Sequence, residues 1–124
     1  MNSSTQLKTL MQQANEFRTG YQIKNSTKKA SQTMQKALID EEWSEFHEAF
    51  HFEFPEQQLK ELADLVYVCY QFAANMNWDL DEAMDRIHKS NMSKLGDDGL
   101  PIRREDGKIL KGPNYQPPIL TDLV

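Results

Sequence analysis

Cysteine is almost missing from this chain. Cys69 stands alone inside an apolar run, so no disulfide framework can form within one copy. Long hydrophobic runs are missing as well. None approaches the length of a membrane span, and the stretch from Met1 to Leu10 is polar, without the apolar core of a signal peptide. Basic residues are in the minority, 14 Lys and Arg against 19 Asp and Glu, and they form no block or stripe. A net charge of -5 has the wrong sign for neutralising a nucleic-acid backbone. It does not oppose a small anion held through a metal. Internal repeats and low-complexity tracts are absent too. The expectation is a soluble protein of a reducing compartment, with neither nucleic acid nor membrane as partner.

What is present is helical patterning. The 124 residues suit one domain, 1–124, with a modest core that pairing with another copy would complete. Leu7, Leu10, Met11, Ala14 and Phe17 keep helical spacing, which predicts a first helix over about Ser4–Phe17 that Gly20 closes. A second helix is expected over Lys29–Phe52. Pro55, suited to a first helical turn, opens a third that runs to about Met76. Asp79 with Glu82 three residues on reads as a capping box for a fourth, ending near Leu95 before Gly96. The bundle thus covers about 4–95 and the tail 96–124. Within the tail, Asp106-Gly107 between short mixed runs predicts a short β-hairpin. The prolines of Lys111–Pro118 require extended or turned backbone.

The carboxylates fall in unexpected places on the helical wheel, at roughly 100° per residue. On the second helix Met34, Leu38, Ile39, Trp43, Phe46, Ala49, Phe50 and Phe52 make a wide apolar arc, and Glu42 and Glu45 fall inside it. On the third helix Leu59, Leu62, Leu65, Val66, Val68, Cys69, Phe72, Ala73 and Met76 make another arc. Glu61 lies within it and Asp64 at its edge. Each pair is spaced i and i+3 and so shares a face. Acidic pairs on helices are ordinarily solvated, but a solvated face lies opposite the apolar one. Unpaired inward carboxylates cost several kcal/mol and repel one another. A hard divalent cation with oxygen ligands is the economical compensation. Asn91 and Lys94 fall within the inner arc of the fourth helix, where an amide and an ammonium suit phosphate oxygens; pairing of Lys94 with an inward carboxylate is the simpler alternative.

Glu41-Glu42-x-x-Glu45, fifteen intervening residues and Glu61-x-x-Asp64 resemble the metal-binding signature of MazG-like all-α nucleoside triphosphate pyrophosphohydrolases. The runs Glu61–Tyr67 and His88–Lys94 resemble the second and third helical motifs of that family. The tail from Gly107 through Pro118 is similar to compact single-domain members, phage ones included. The resemblance implies an all-α four-helix bundle that forms a homodimer or a dimer of dimers, with substrate held between subunits, in a bacterial or phage-infected host cytoplasm. It implies hydrolysis of a (deoxy)nucleoside triphosphate between the α- and β-phosphates, giving a monophosphate and pyrophosphate. Glu42, Glu45, Glu61 and Asp64 would hold Mg²⁺ or Mn²⁺, roughly one to three ions per site. Glu41 would bind a further ion or accept the proton of the attacking water. Asn91 and Lys94 would hold phosphate oxygens, and Lys89, Arg103, Lys108, Lys111 and Tyr115 are weaker phosphate candidates. Gln13, Asn15 and Phe17 on the first helix are the candidates for the base, with dGTP or GTP suggested by the phage-type likeness alone.

Two rivals have their own sequence features. A dimetal oxygen-chemistry bundle would use Glu-x-x-His pairs, and Glu48-x-x-His51 with Asp85-x-x-His88 approximates them. The wheel puts His51 and Glu48 outside the apolar arc, and Asp85 points away from Leu80 and Ile87. A non-enzymatic helical interaction module is the other rival; inward acidic pairs would cost it stability without return.

Overall fold

A computed structural model describes residues 7–124. They form four α-helices: α1 (Leu10–Gly20), α2 (Lys29–Phe52), α3 (Pro55–Met76) and α4 (Leu80–Met92). No sheet is present among the described residues, so the chain is all-α. Its contacts gather into two compact units, one ending at Leu80 and the other spanning Asp81–Val124.

In the first unit α3 packs against both α2 and α1. Glu53 and Phe54 turn the chain between α2 and α3. The Glu53 N–H donates to the Ala49 carbonyl at 2.9 Å, and Pro55 takes the first turn of α3, where its missing N–H costs nothing. α3 stops at Asn77, which adopts the left-handed conformation (φ 62°) of a helix C-cap. From Gln35 onward the least exposed positions of α2 are Gln35, Ile39, Glu42, Phe46 and Ala49, spaced alternately by four and three. On α3 the half-buried Gln58, Glu61, Leu65, Val68 and Phe72 and the buried Asn75 recur at the same spacing, while Tyr70, Gln71, Ala73 and Ala74 are also buried near its C-terminal end. That spacing is the seam of an antiparallel helix pair, and Glu42 and Glu61 sit in it.

The first helix begins later than expected. Thr9 caps it, accepting from the Gln12 N–H, while the Gln12 side chain accepts from the Thr9 N–H at 2.8 Å. Reciprocal capping fixes the start at Leu10 and leaves Leu7 outside the helix; the expected start at Ser4 lies outside the described residues. The wide apolar arc of α2 is corrected too. Trp43 (55% exposed), Phe50 (61%) and Phe52 (80%) face outward, because only the narrow seam meets α3. Buried apolar residues are few and small, mainly Ala14, Ala49, Ala73 and Ala74 with Tyr70.

The second unit holds α4 and the tail. α4 ends at Met92, short of Leu95, because its hydrogen bonds tighten to the i−3 pattern from Ser93 onward, with Lys94 N–H to Asn91 O and Leu95 N–H to Met92 O. The Gly112 N–H donates to the Lys94 carbonyl at 2.9 Å, and a Cβ at Gly112 would lie 2.5–2.6 Å from the Leu95 and Lys94 carbonyls. Only glycine permits that approach. In place of the expected hairpin there is one antiparallel bridge, Arg103 to Ile109, around a turn at Gly107 (φ 89°). Pro101 on one side and Gly112-Pro113 on the other leave too little backbone for paired strands. Arg86 ties the C-terminal 3₁₀ turn to α4 through Asp122, at 2.6 and 3.0 Å.

Candidate metal and nucleotide site

The seam brings Glu42, Glu45 and Glu61 together. One carboxylate oxygen from each lies within 4.8 Å of the others. Glu42 Oε2 and Glu61 Oε2 are buried, and among the described residues neither has a hydrogen-bond partner. Burial pushes the Glu42 carboxyl up to about 6, and the facing carboxylates of Glu45, Asp64 and Glu61 add to the effect. Glu45 itself is exposed at the mouth of the seam. The cluster continues into a hollow of about 170 Å³ lined by Glu45, Glu48, Ala49, Glu53, Gln57 and Glu61.

One cation is already at hand. Lys60, exposed on α3, lies 3.3 Å from Glu61 and 2.9 Å from Asp64. It engages the rim of the cluster and leaves the inner oxygens of Glu42 and Glu61 alone. Native proteins rarely leave a buried polar atom without a partner. Two such atoms, both oxygens and both anionic, fit a hard divalent ion, which takes oxygen ligands.

The other sequence-derived candidates are scattered. Glu41 is exposed beside Glu42 and outside the converging trio. Gln13 and Phe17 line an open hollow of about 570 Å³ with Tyr21 and Tyr67, whose rings lie 4.6 and 5.7 Å from that of Phe17. Asn15 is exposed and does not line it. In the second unit Asn91 is exposed and Lys94 half-buried at the end of α4. Lys89 pairs with Asp85 at 2.8 Å. Arg103 donates to the Gly107 carbonyl, Lys108 is exposed, and the Lys111 ammonium sits 4.9 Å from the Tyr115 ring centre. The rival oxygen-chemistry pairs fare poorly: His51 is exposed, and Asp85 is taken up by Lys89.

Sequence reasoning missed a second polar centre. Arg18, only 3% exposed, donates to Asn25, Gln71 and Asn75 at 2.6, 3.2 and 2.9 Å. Asn75 (1% exposed) also accepts from Ser26 N–H and Ser31 Oγ, and donates to the Ser26 carbonyl at 2.8 Å. The network ties α1, the 21–28 connection, α2 and α3 together with neutral partners throughout. Asn75 on the seam spacing of α3 was the available signal; an arginine on a short helix ordinarily reads as surface.

A search of curated proteins finds no match to the chain. The family model described as "Phosphoribosyl-ATP pyrophosphohydrolase" matches residues 5–91. That span takes in α1, α2, α3 and nearly all of α4, and therefore every carboxylate of the seam; Lys94 and the tail lie beyond it. A match over well over half the chain, centred on the converging acids, decides the family. The chain belongs to the phosphoribosyl-ATP pyrophosphohydrolase family, all-α members of the MazG-like superfamily that hydrolyse a nucleotide phosphoanhydride.

Proposed function

We propose that this chain, acting as one domain over its 124 residues, is a metal-dependent nucleoside triphosphate pyrophosphohydrolase. It cleaves between the α- and β-phosphates and releases a monophosphate and pyrophosphate. The supporting observation is the meeting of Glu42, Glu45 and Glu61 around two buried, unpartnered carboxylate oxygens. These three, with Asp64 at the rim, would hold Mg²⁺ or Mn²⁺. Such an ion, when bound, polarises the α-phosphoryl group and acidifies a water for in-line attack.

The protein's own residues do the rest. Glu42, half-buried against Glu45 and Glu61, would present its inner oxygen to the cation. Lys60 keeps Asp64 and the outer oxygen of Glu61 oriented. Glu41, exposed and adjacent to Glu42 in sequence, would bind a further ion or take the proton of the attacking water. Asn91 and Lys94 bind phosphate oxygens. Phe17 and Gln13 offer the base a ring to stack on and an amide to pair with, in a hollow walled by Tyr21 and Tyr67. The outward Trp43, Phe50 and Leu62 suit pairing with a second copy, which would complete the thin core. No helix of the described residues is long and apolar enough to cross a membrane.

The family description favours a second reading of the substrate, phosphoribosyl-ATP, with the same bond cleaved. One experiment separates the two. The protein is incubated with Mg²⁺ and a panel of ribo- and deoxynucleoside triphosphates plus phosphoribosyl-ATP, and the products are resolved. Monophosphate and pyrophosphate from the simple triphosphates, dGTP and GTP foremost, support the proposal. Turnover of phosphoribosyl-ATP alone replaces it with the second reading, and release of orthophosphate sinks both.

A further inference from the structure

The exposed face of α2 carries a feature that the carboxylate seam does not use. His47-Glu48-Ala49-Phe50-His51 places two imidazoles one helical turn apart, the spacing by which two histidines on one helix face grasp a single cation. Their ring centres are 4.7 Å apart, and both side chains are exposed. Trp43 flanks the His47 ring at 6.3 Å, and Phe50 flanks His51 at 5.0 Å, so aromatic neighbours restrict both rings on the helix surface.

We infer that His47 and His51 form a two-point chelate for an imidazole-preferring transition cation of the Zn²⁺, Ni²⁺ or Cu²⁺ class. The donor set decides the class. Imidazole nitrogens suit these ions, whereas the oxygen-only seam suits Mg²⁺ or Mn²⁺. The electrostatics agree. His51 lies in the last turn of α2, where the helix end attracts positive charge. Glu48 and Glu53 are close in sequence, and the chain as a whole is acidic. Catalytic zinc sites built on this motif need a third protein ligand. Among the described residues the only group of three or more ligand side chains is the Glu42, Glu45, Glu61 trio. Water therefore fills the remaining positions at the histidine pair, and the site binds a cation without a protease's chemistry.

The test uses the full chain with Mg²⁺ in excess, so that the oxygen cluster is occupied by competition. Zn²⁺ or Ni²⁺ is titrated in while heat and tryptophan emission are followed. The expected result is one cation per chain, with an emission change that Trp43→Phe removes while the heat remains. Replacing either histidine, His47→Gln or His51→Gln, should weaken binding roughly tenfold or more, because one anchor of the chelate is lost. Both positions are exposed, and unchanged helical circular dichroism verifies the fold of each variant. Binding within twofold of wild type in both single variants overturns the inference. So does binding that is lost in Glu42→Gln with Glu61→Gln while both histidines remain.

Discussion

Two polar centres lie inside the first unit, and they are built on opposite terms. Around Arg18 a buried charge is met by Asn25, Gln71 and Asn75, and Asn75 is in turn satisfied by Ser26 and Ser31. Around Glu42 and Glu61, like charges face one another and two buried oxygens have no partner. The first centre is complete and closes three helices on one another. The second is incomplete: Lys60 reaches only Glu61 and Asp64 at its rim, and the inner oxygens have no partner. The contrast is between a buried charge whose hydrogen bonds are made and buried carboxylates whose hydrogen bonds are not.

The sharpest way to test this contrast is to alter the incomplete centre. Glu42→Gln or Glu61→Gln should lower pyrophosphate release by at least about a hundredfold, with the fold intact in a thermal melt. A variant that keeps its rate would place the chemistry elsewhere. Altering the complete centre should do the reverse. Asn75→Ala strands the Arg18 guanidinium and the Ser26 backbone, and should cost about 3 kcal/mol in a denaturant titration. Activity per folded molecule should persist. Next in size is the effect of metal on stability. Mg²⁺ or Mn²⁺ at about a hundred times its dissociation constant should add about 2.7 kcal/mol to the wild type, and nothing to Glu42→Gln with Glu61→Gln.

The smallest effect is in pH. Glu42 has its carboxyl raised from 4.5 to about 6 by folding. The folded state therefore holds the proton more tightly than the unfolded chain, and this contribution to stability is present below about 4.5. It is lost as pH rises through about 6. Metal-free protein should accordingly melt at a lower temperature at pH 7 than at pH 5, and Glu42→Gln should flatten that slope. Asp85, Asp106 and Asp122 are shifted downward by their basic partners, so their contributions fall away only at lower pH.

The two long helices of the first unit were legible in the sequence because strong local signals bound them. Pro55 sets the start of α3, and the seam spacing runs unbroken along both α2 and α3. The convergence of Glu42, Glu45 and Glu61 was legible for the same reason, since i, i+3 pairs on two helices of one hairpin must share a side. The start of α1 was misjudged because apolar spacing outweighed the Thr9–Gln12 capping pair, which was there to be read. The outward turn of Trp43, Phe50 and Phe52 was not legible. A wheel shows an apolar arc but not how much of it a single neighbouring helix covers. Lys60 was missed because its reach to Glu61 and Asp64 depends on a flexible stem. The Arg18 network was missed because its partners lie 53 and 57 residues away in sequence.

The unpartnered oxygens of the α2–α3 seam are proposed to form a cation site. The most direct test is Mn²⁺ binding, followed by the loss of the free-ion electron paramagnetic resonance signal. Wild type and Asn75→Ala should both take up the ion, and Glu42→Gln with Glu61→Gln should not. Equal uptake by that double variant would place the cation away from the seam.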